Sequence, residues 1–357
     1  MKPSADHLSR WLGLAALLAV LTGCASSPPD KQAGGRLPPE TYLRVAYPDA
    51  DTVEFQTAVR KFVPTRGHRP EIWLAAAAHV GEPAYYAALQ RHLDARGLVL
   101  FEGIKDLGDD LTHQAGQGEG RTTASPQTPP PVAQDQDGAS SLQVALAKSL
   151  GLVFQLEAID YGRPHFRNSD LSASQLQALM QSSHPTRKGG EPSAETEFQE
   201  LVQTMQGTSL VGALLNAVLG VVGGSPRLQA LTKLAMIEVL GQLQGDLTQI
   251  QALPPELKRL LEVLILERNK VVIADLKSEL KTPHRASSLA VLYGAGHLHD
   301  LEKRLCHDLK YRPADQVWLP VFSVNTRKAG LSEFEIGLVR RVVRSQLEGL
   351  QASPAKK

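Results

Sequence analysis

Apolar and polar residues alternate in several distinct rhythms along this chain, and each rhythm predicts an element. Val53 to Val63 alternates loosely with a period of two, Pro64 and Gly67 supply a turn, and Ile72 to His79 follows as an apolar run. This succession predicts a hairpin. Pro83 opens a stretch in which Tyr85, Tyr86, Leu89 and Leu93 recur at helical spacing until Gly97 stops it. Leu98 to Phe101 is wholly apolar, as expected for a strand covered on both faces, and it ends on Glu102. Further on, the pattern predicts a helix from Leu142 to Leu150, a strand from Phe154 to Ile159, and a helix from Gln175 to Met180 that Ser172 or Asp170 can cap. Helices are expected over 196–223, 226–250 and 256–280. A second apolar strand runs from Leu289 to Gly294 into His297, and a last strand covers Gln316 to Val324. The capping box Ser332-Glu333-Phe334-Glu335 then opens a final helix. The implied fold class is α/β, a central mixed β-sheet flanked by helices, with a mostly helical insertion (196–280) between the middle and last strands.

The amino terminus obeys a different logic. Lys2 and Arg10 precede an apolar run from Trp11 to Leu21, too short to cross a bilayer and matching the core of a signal peptide. Leu21-Thr22-Gly23-Cys24 closely resembles a bacterial lipobox. Such a motif implies cleavage after residue 23 and acylation of Cys24, so that the mature chain is held at a membrane by lipid alone. Ala25 stands after the cysteine where aspartate would retain the protein, which implies an outer-membrane address facing the periplasm. Residues 24–40 read as a flexible Pro, Gly and Ser-rich tether, 41–350 as one domain and 351–357 as a disordered tail. Within the domain, 112–140 has too few large apolar side chains to order itself and reads as a disordered insertion.

Charge excludes one class of partner. Of 38 basic and 37 acidic side chains, the leader removes Lys2, Arg10 and Asp6, leaving 36 of each. With no basic stripe and only 5% aromatic residues, nothing favours nucleic acid. Once Cys24 is lipidated, Cys306 stands alone and reads as a buried structural thiol. Leu210 to Val222 is almost entirely apolar but shorter than a membrane span, so it is expected as a buried helix, the alternative being an element that dips into lipid.

The candidate chemistry lies at strand ends. His79, Glu102 and His297 each close an apolar strand or enter the helix after it, and such ends converge on one crevice in an α/β sheet. Two imidazoles and a carboxylate suit a divalent metal such as Mn, Co or Zn, which would supply a hydroxide nucleophile. Without metal, the same trio can act as a histidine base oriented by a carboxylate. Gly294 and Gly296 let the backbone turn or approach a ligand closely before His297. His299 lies elsewhere on that helix and is expected to face solvent. Arg268 follows Leu261 and Leu264 on an apolar helical stripe, and a buried guanidinium there needs an anion: a substrate carboxylate, or a structural partner such as Glu102.

These motifs, in this order, resemble the TraB/GumN (TIKI-like) family, related to the erythromycin esterases and the ChaN haem-binding lipoproteins. The resemblance runs through Trp73 to His79 with Gly81-Glu82-Pro83-Ala84-Tyr85-Tyr86, Leu98 to Glu102, Glu267-Arg268-Asn269, and Val291 to His297, covering about Val53 to Val324. It implies an α/β fold with a site formed by His79, Glu102, Arg268 and His297, and in the TIKI branch a metal-dependent peptidase. His79, His297 and Glu102 would hold the metal, and Arg268 would clamp a carboxylate or steady an oxyanion. The ChaN branch implies instead a ligand-binding lipoprotein for haem. A scaffold with a vestigial site is the third expectation, since Ala76 stands where the family's first Gly-x-x-His motif has glycine.

Overall fold

One long strand, β2 (Thr52–Pro64), organises the sheet, because both of its edges are filled. The computed structural model describes residues 41–103, 142–182, 218–242, 261–282 and 286–352. On one edge, β9 (Tyr311–Asn325) pairs antiparallel with β2 from Thr52 to Pro64, with register shifts after Phe55 and Lys61. On the other, β1 (Leu43–Ala46) and β3 (Glu71–Ala77) share β2 end to end, β1 taking Glu54 to Thr57 and β3 taking Val59 to Phe62. Beyond β3 lie β8 (Ser288–Gly294), β5 (Leu98–Phe101) and β7 (Phe166–Asn168), all parallel to it. The result is a seven-stranded mixed sheet. A two-stranded sheet, β4 (Val80–Gly81) with β6 (Val153–Phe154), sits apart from it.

The parallel strands explain the unbroken apolar runs. Every residue of β8 and all but the first of β3 are buried, so both faces need apolar side chains and no alternation survives. Helices supply the cover. In chain order they are α1 (Pro83–Asp94), α2 (Leu142–Leu150), the single turn α3 (Gln155–Ala158), α4 (Ala173–Ser182) and α5 (Pro226–Gln242). A π-helical turn (Val263–Glu267) leads into α6 (Arg268–Glu279), and α7 (Ala295–His307) and α8 (Glu333–Ala352) follow. Tyr85, Tyr86, Leu89 and Leu93 of α1 are buried, as their spacing predicts. Leu298, Leu301 and Leu305 of α7 pack into the same core. α5 lies against β1, β2, β9 and α8.

Hairpin, β5 and the capping boxes form where the pattern places them. Glu335 accepts from the Ser332 backbone N–H (2.9 Å) and hydroxyl (2.7 Å), and its own N–H reaches Ser332 Oγ at 3.3 Å. The cap of α4 is Ser172, whose Oγ accepts from Gln175 N–H at 3.2 Å; Asp170 is committed elsewhere. The expected strand Phe154 to Ile159 is corrected. It ends after Phe154, because its partner β4 is only two residues long, and the chain coils into α3 once the Gln155 N–H reaches the His79 carbonyl at 2.8 Å. β7 falls where only loop is expected.

Of the helical block, α5, the π turn and α6 lie in the described residues, while 196–217 and 243–260 fall outside them. At 218–223 the chain is helical, but Val218 and Val221 are 53% and 68% exposed, so a buried helix is not what this end of the Leu210 to Val222 run forms. The leader, Cys24, the tether, the insertion 112–140 and the last residues 353–357 also lie outside the described residues. Among the described residues no helix is long and apolar enough to cross a membrane. Cys306 is half-buried against the core rather than fully enclosed.

One ion pair ties α7 to the sheet. Arg60, 3% exposed on β2, donates Nη1 to Glu302 at 2.5 Å and Nε to Gln316 at 2.6 Å, while stacking on the Tyr42 ring. Removing only the carboxylate strands a buried charge, so Glu302→Ala should cost about 2 to 4 kcal/mol in urea unfolding. Arg60→Met with Glu302→Leu should recover most of that loss. A single variant within about 0.5 kcal/mol of the parent would contradict this account.

Candidate functional site

Four parallel strands end side by side, and each hands a polar residue to the same edge. Ala77 of β3 pairs with Gly294 of β8, Phe101 of β5 with Leu292 of β8, and Asn168 of β7 with Phe101. Just beyond these ends come His79, His297, Glu102 and Asp170, outside the carboxyl edge where α/β sheets build their sites.

Glu102 is the centre. Its backbone N–H continues the β5–β8 ladder to Leu292 O at 3.0 Å, which fixes the direction of the side chain. Oε2 accepts the Gly294 N–H at 2.6 Å, and Oε1 lies 2.9 Å from Arg268 Nη2 and 3.5 Å from His297 Nε2. Gly294 has ordinary backbone angles (φ −53°, ψ 141°), so a sharp turn is not its purpose. A Cβ there would stand 3.3 Å from Glu102 Oε2, so glycine is present to let the carboxylate close onto the strand end. Ala76 lies inside β3, paired with Tyr293, with no positive φ, so no glycine angle is needed at that position.

Arg268 opens α6 directly after the π turn, the kind of helix irregularity that re-aims side chains at sites. Its guanidinium forks onto Asp170, Nε to Oδ1 at 2.9 Å and Nη2 to Oδ2 at 2.6 Å, while Nη2 also holds Glu102. Asp170 is saturated, since it accepts the Gly103 and Leu171 N–H groups as well (3.0 and 2.7 Å). The structural partner expected of Arg268 is therefore present twice over. Asn269, the next residue, is fully buried and orients His297. Its Oδ1 is 2.9 Å from His297 Nδ1, and its Nδ2 donates to the His297 carbonyl (3.0 Å) and to Asp300 (2.9 Å). With Nδ1–H donated to Asn269, Nε2 carries the lone pair and faces Glu102.

Charge follows from these contacts. Burial opposes ionisation of Glu102, yet Arg268 above all, with His297, His79 and the Gly294 N–H, holds its carboxyl down at about 2. For His297 burial dominates, and its pKa falls to about 4 despite the pull of Glu102. Burial also opposes the charge of Arg268, but Glu102 and Asp170 raise its pKa. At neutral pH Glu102 is thus ionised beside the charged Arg268, and His297 is a neutral imidazole.

His79 occupies the rim. Its ring is exposed, but the backbone around it is held from several sides. Tyr85 OH donates to Ala76 O (3.0 Å), Tyr86 OH to Ala78 O (2.7 Å), and Gln155 N–H to His79 O (2.8 Å). Glu102 touches both Arg268 and His297; among the described residues His79 makes no side-chain hydrogen bond or ion pair with any of the three. Among the described residues no three His, Cys, Asp or Glu side chains gather around one point as a metal set. Asp170 is a site residue that the sequence presents only as a helix cap. No apolar run announces it, since Phe166 is the one apolar residue in the stretch Phe166-Arg167-Asn168-Ser169 before it.

Comparison with models of protein families, with curated proteins and with solved structures finds no match to this chain.

Acid should unfold the metal-free protein in two stages. The unfolded chain protonates His297 near 6.5 and the folded chain only near 4, so between these values the unfolded state binds more protons and stability falls as pH falls, by about 3 kcal/mol at most. Glu102 adds a second loss between 4.5 and 2, again because its folded value is the lower one. Urea melts of chelator-treated protein across this range should show both limbs. His297→Gln should flatten the upper one alone; an unchanged upper limb would mean that His297 is not buried neutral.

Proposed function

We propose that this chain is an envelope lipoprotein of the TraB/GumN type that hydrolyses a peptide or similar small substrate at the Glu102–His297 pair, with divalent metal. The observation that supports it is the convergence of Glu102, His297 and Arg268 at the carboxyl edge of four parallel strands, the positions from which the resemblance draws its site.

Glu102 Oε1 and His297 Nε2, two electron-pair donors, face one another 3.5 Å apart, with Arg268 Nη2 also on Oε1 at 2.9 Å. A cation or a shared proton between the two would satisfy the Nε2 lone pair that Arg268 does not reach. A histidine whose pKa is about 4 is a weak proton acceptor at neutral pH but a ready metal ligand, and its other nitrogen is held by Asn269 as ligating imidazoles usually are. Glu102 and His297 would hold manganese, cobalt or zinc, which would lower the pKa of a bound water toward neutrality; His79, exposed on the rim, would have to turn inward to become a third donor. The remaining residues act through position and charge. Arg268 keeps Glu102 ionised, Asp170 balances and aims the guanidinium, and Asn269 fixes the imidazole so that Nε2 points inward. Nη1 of Arg268 carries none of these contacts and is the donor available to an oxyanion.

The test uses the chain from residue 24 with Cys24→Ser, loaded with Mn, Co or Zn and assayed by mass spectrometry on a peptide mixture with and without chelator. Metal uptake and chelator-sensitive cleavage are expected, with losses of about a hundredfold or more in His297→Asn and Glu102→Gln. Cleavage indifferent to chelator but lost in both variants would replace the metal with direct water activation. No cleavage under any condition would remove the hydrolase. In cells, labelled palmitate should enter the full chain and should fail to enter Cys24→Ala; equal labelling of both would refute the anchor.

A further inference from the structure

Near Glu102 the fold buries one polar group with unmet hydrogen-bonding capacity, Gln155, against a half-buried second, Tyr161. Gln155 begins α3, directly after β6, and is 6% exposed. Its backbone N–H is the one that holds the His79 carbonyl, so its side chain starts at the rim of the site. Nε2 donates to the Tyr161 hydroxyl at 2.8 Å, while Oε1 is fully buried with no hydrogen-bond partner among the described residues. Tyr161 in turn stacks on Phe101, the residue before Glu102, with ring centroids 4.9 Å apart. Its oxygen is occupied as an acceptor from Gln155, and its own proton has no acceptor among the described residues. Burial raises the Tyr161 pKa and the Glu102 charge adds to the effect, so this hydroxyl keeps its proton and lies within electrostatic reach of Glu102.

A buried acceptor without a donor is destabilising, and folds tolerate one chiefly where a ligand or bound water satisfies it. Here a spare acceptor, Gln155 Oε1, lies next to a spare donor, the Tyr161 O–H. The complement of that pair is one residue of an extended peptide, whose own N–H and C=O project side by side from the same edge, unlike the opposed N–H and C=O of a single trans amide. Turning the Gln155 carboxamide over does not remove the demand. Oε1 would then accept from Tyr161, leaving Nε2 as spare donor and the phenol oxygen as spare acceptor, and the same complement would dock reversed.

We propose that Gln155 and Tyr161 form a peptide-backbone subsite, which selects an extended residue carrying its own N–H over the depsipeptide residue in which an ester oxygen replaces it. This deepens the hydrolase reading and rests on it for the placement of the amide near Glu102, although binding at the subsite does not require turnover. Neither residue belongs to the motifs that carry the family resemblance.

The experiment measures both binding and turnover on matched probes: N-acetylated dipeptide amides and their depsipeptide counterparts, in which one ester oxygen replaces the N–H. Probe binding to the Cys24→Ser chain is followed by calorimetry, and hydrolysis by mass spectrometry. Amide probes should bind about tenfold more tightly than esters, and Gln155→Met should erase that preference by weakening the amide alone. Gln155→Glu keeps an acceptor and should retain the preference in part. Tyr161→Phe should weaken amide and ester together, since both offer a carbonyl. Circular dichroism confirms that each variant is folded; a variant that is not is replaced by Gln155→Leu or Tyr161→Trp. Equal affinity for amide and ester, an unchanged preference in Gln155→Met, or no binding of any probe at millimolar concentration overturns the subsite. Amide-selective binding without hydrolysis leaves the subsite standing and removes the hydrolase, whereas hydrolysis without amide selectivity does the reverse.

Discussion

A single buried cation governs this site. The Arg268 side chain is 10% exposed, and a guanidinium so enclosed persists only with full ionic and hydrogen-bonding compensation. Asp170 and Glu102 provide it, from the ends of two adjacent parallel strands. The arrangement is reciprocal, because the same charge that needs Glu102 also keeps Glu102 ionised in a setting that would otherwise neutralise it. Position follows from charge. The ion network fixes α6 against β5 and β7, which sets Asn269, which sets His297. Disturbing the guanidinium would therefore loosen several elements together rather than delete one contact.

The sheet explains why such a network can be built from distant residues. β8 lies between β3 and β5, so residues near 77, 102 and 294 become neighbours by register alone. Tyr85 and Tyr86 repeat the principle at one remove, using phenol hydroxyls from α1 to hold the carbonyls at the end of β3. The exposed His79 ring is thus mounted on a rigid backbone. The rim side chain can adapt while its base stays fixed.

Legibility in the sequence follows the physics of each element. β3, β5 and β8 are visible because burial on both faces demands unbroken apolar runs, and the caps at Ser172 and Ser332 because their hydrogen bonds are local. Glu102, Arg268 and His297 are visible for a related reason: each interrupts an apolar pattern at its end. β7 is hidden, since three residues of which none is fully buried leave almost no pattern, and with it Asp170 loses its meaning. The strand expected after Phe154 fails because strandness there depends on a partner, and β4 offers only two residues. Gly294 stands out in the sequence as a turn or an approach point, and it is the approach of a carboxylate that the structure realises, which only the neighbour's coordinates reveal.

The pairing of β2 with β9 has a temporal consequence. The two strands lie more than 240 residues apart in sequence, yet along its whole length β2 has one edge that nothing else fills. Closing that edge requires a very long loop, so the central sheet cannot be completed until almost the entire polypeptide has emerged. The edge that carries Glu102 and His297 is subject to the same delay, as β8 arrives long after β3 and β5. A chain so wired stays open through most of its synthesis and acquires its sheet and its strand-end cluster together at the last step.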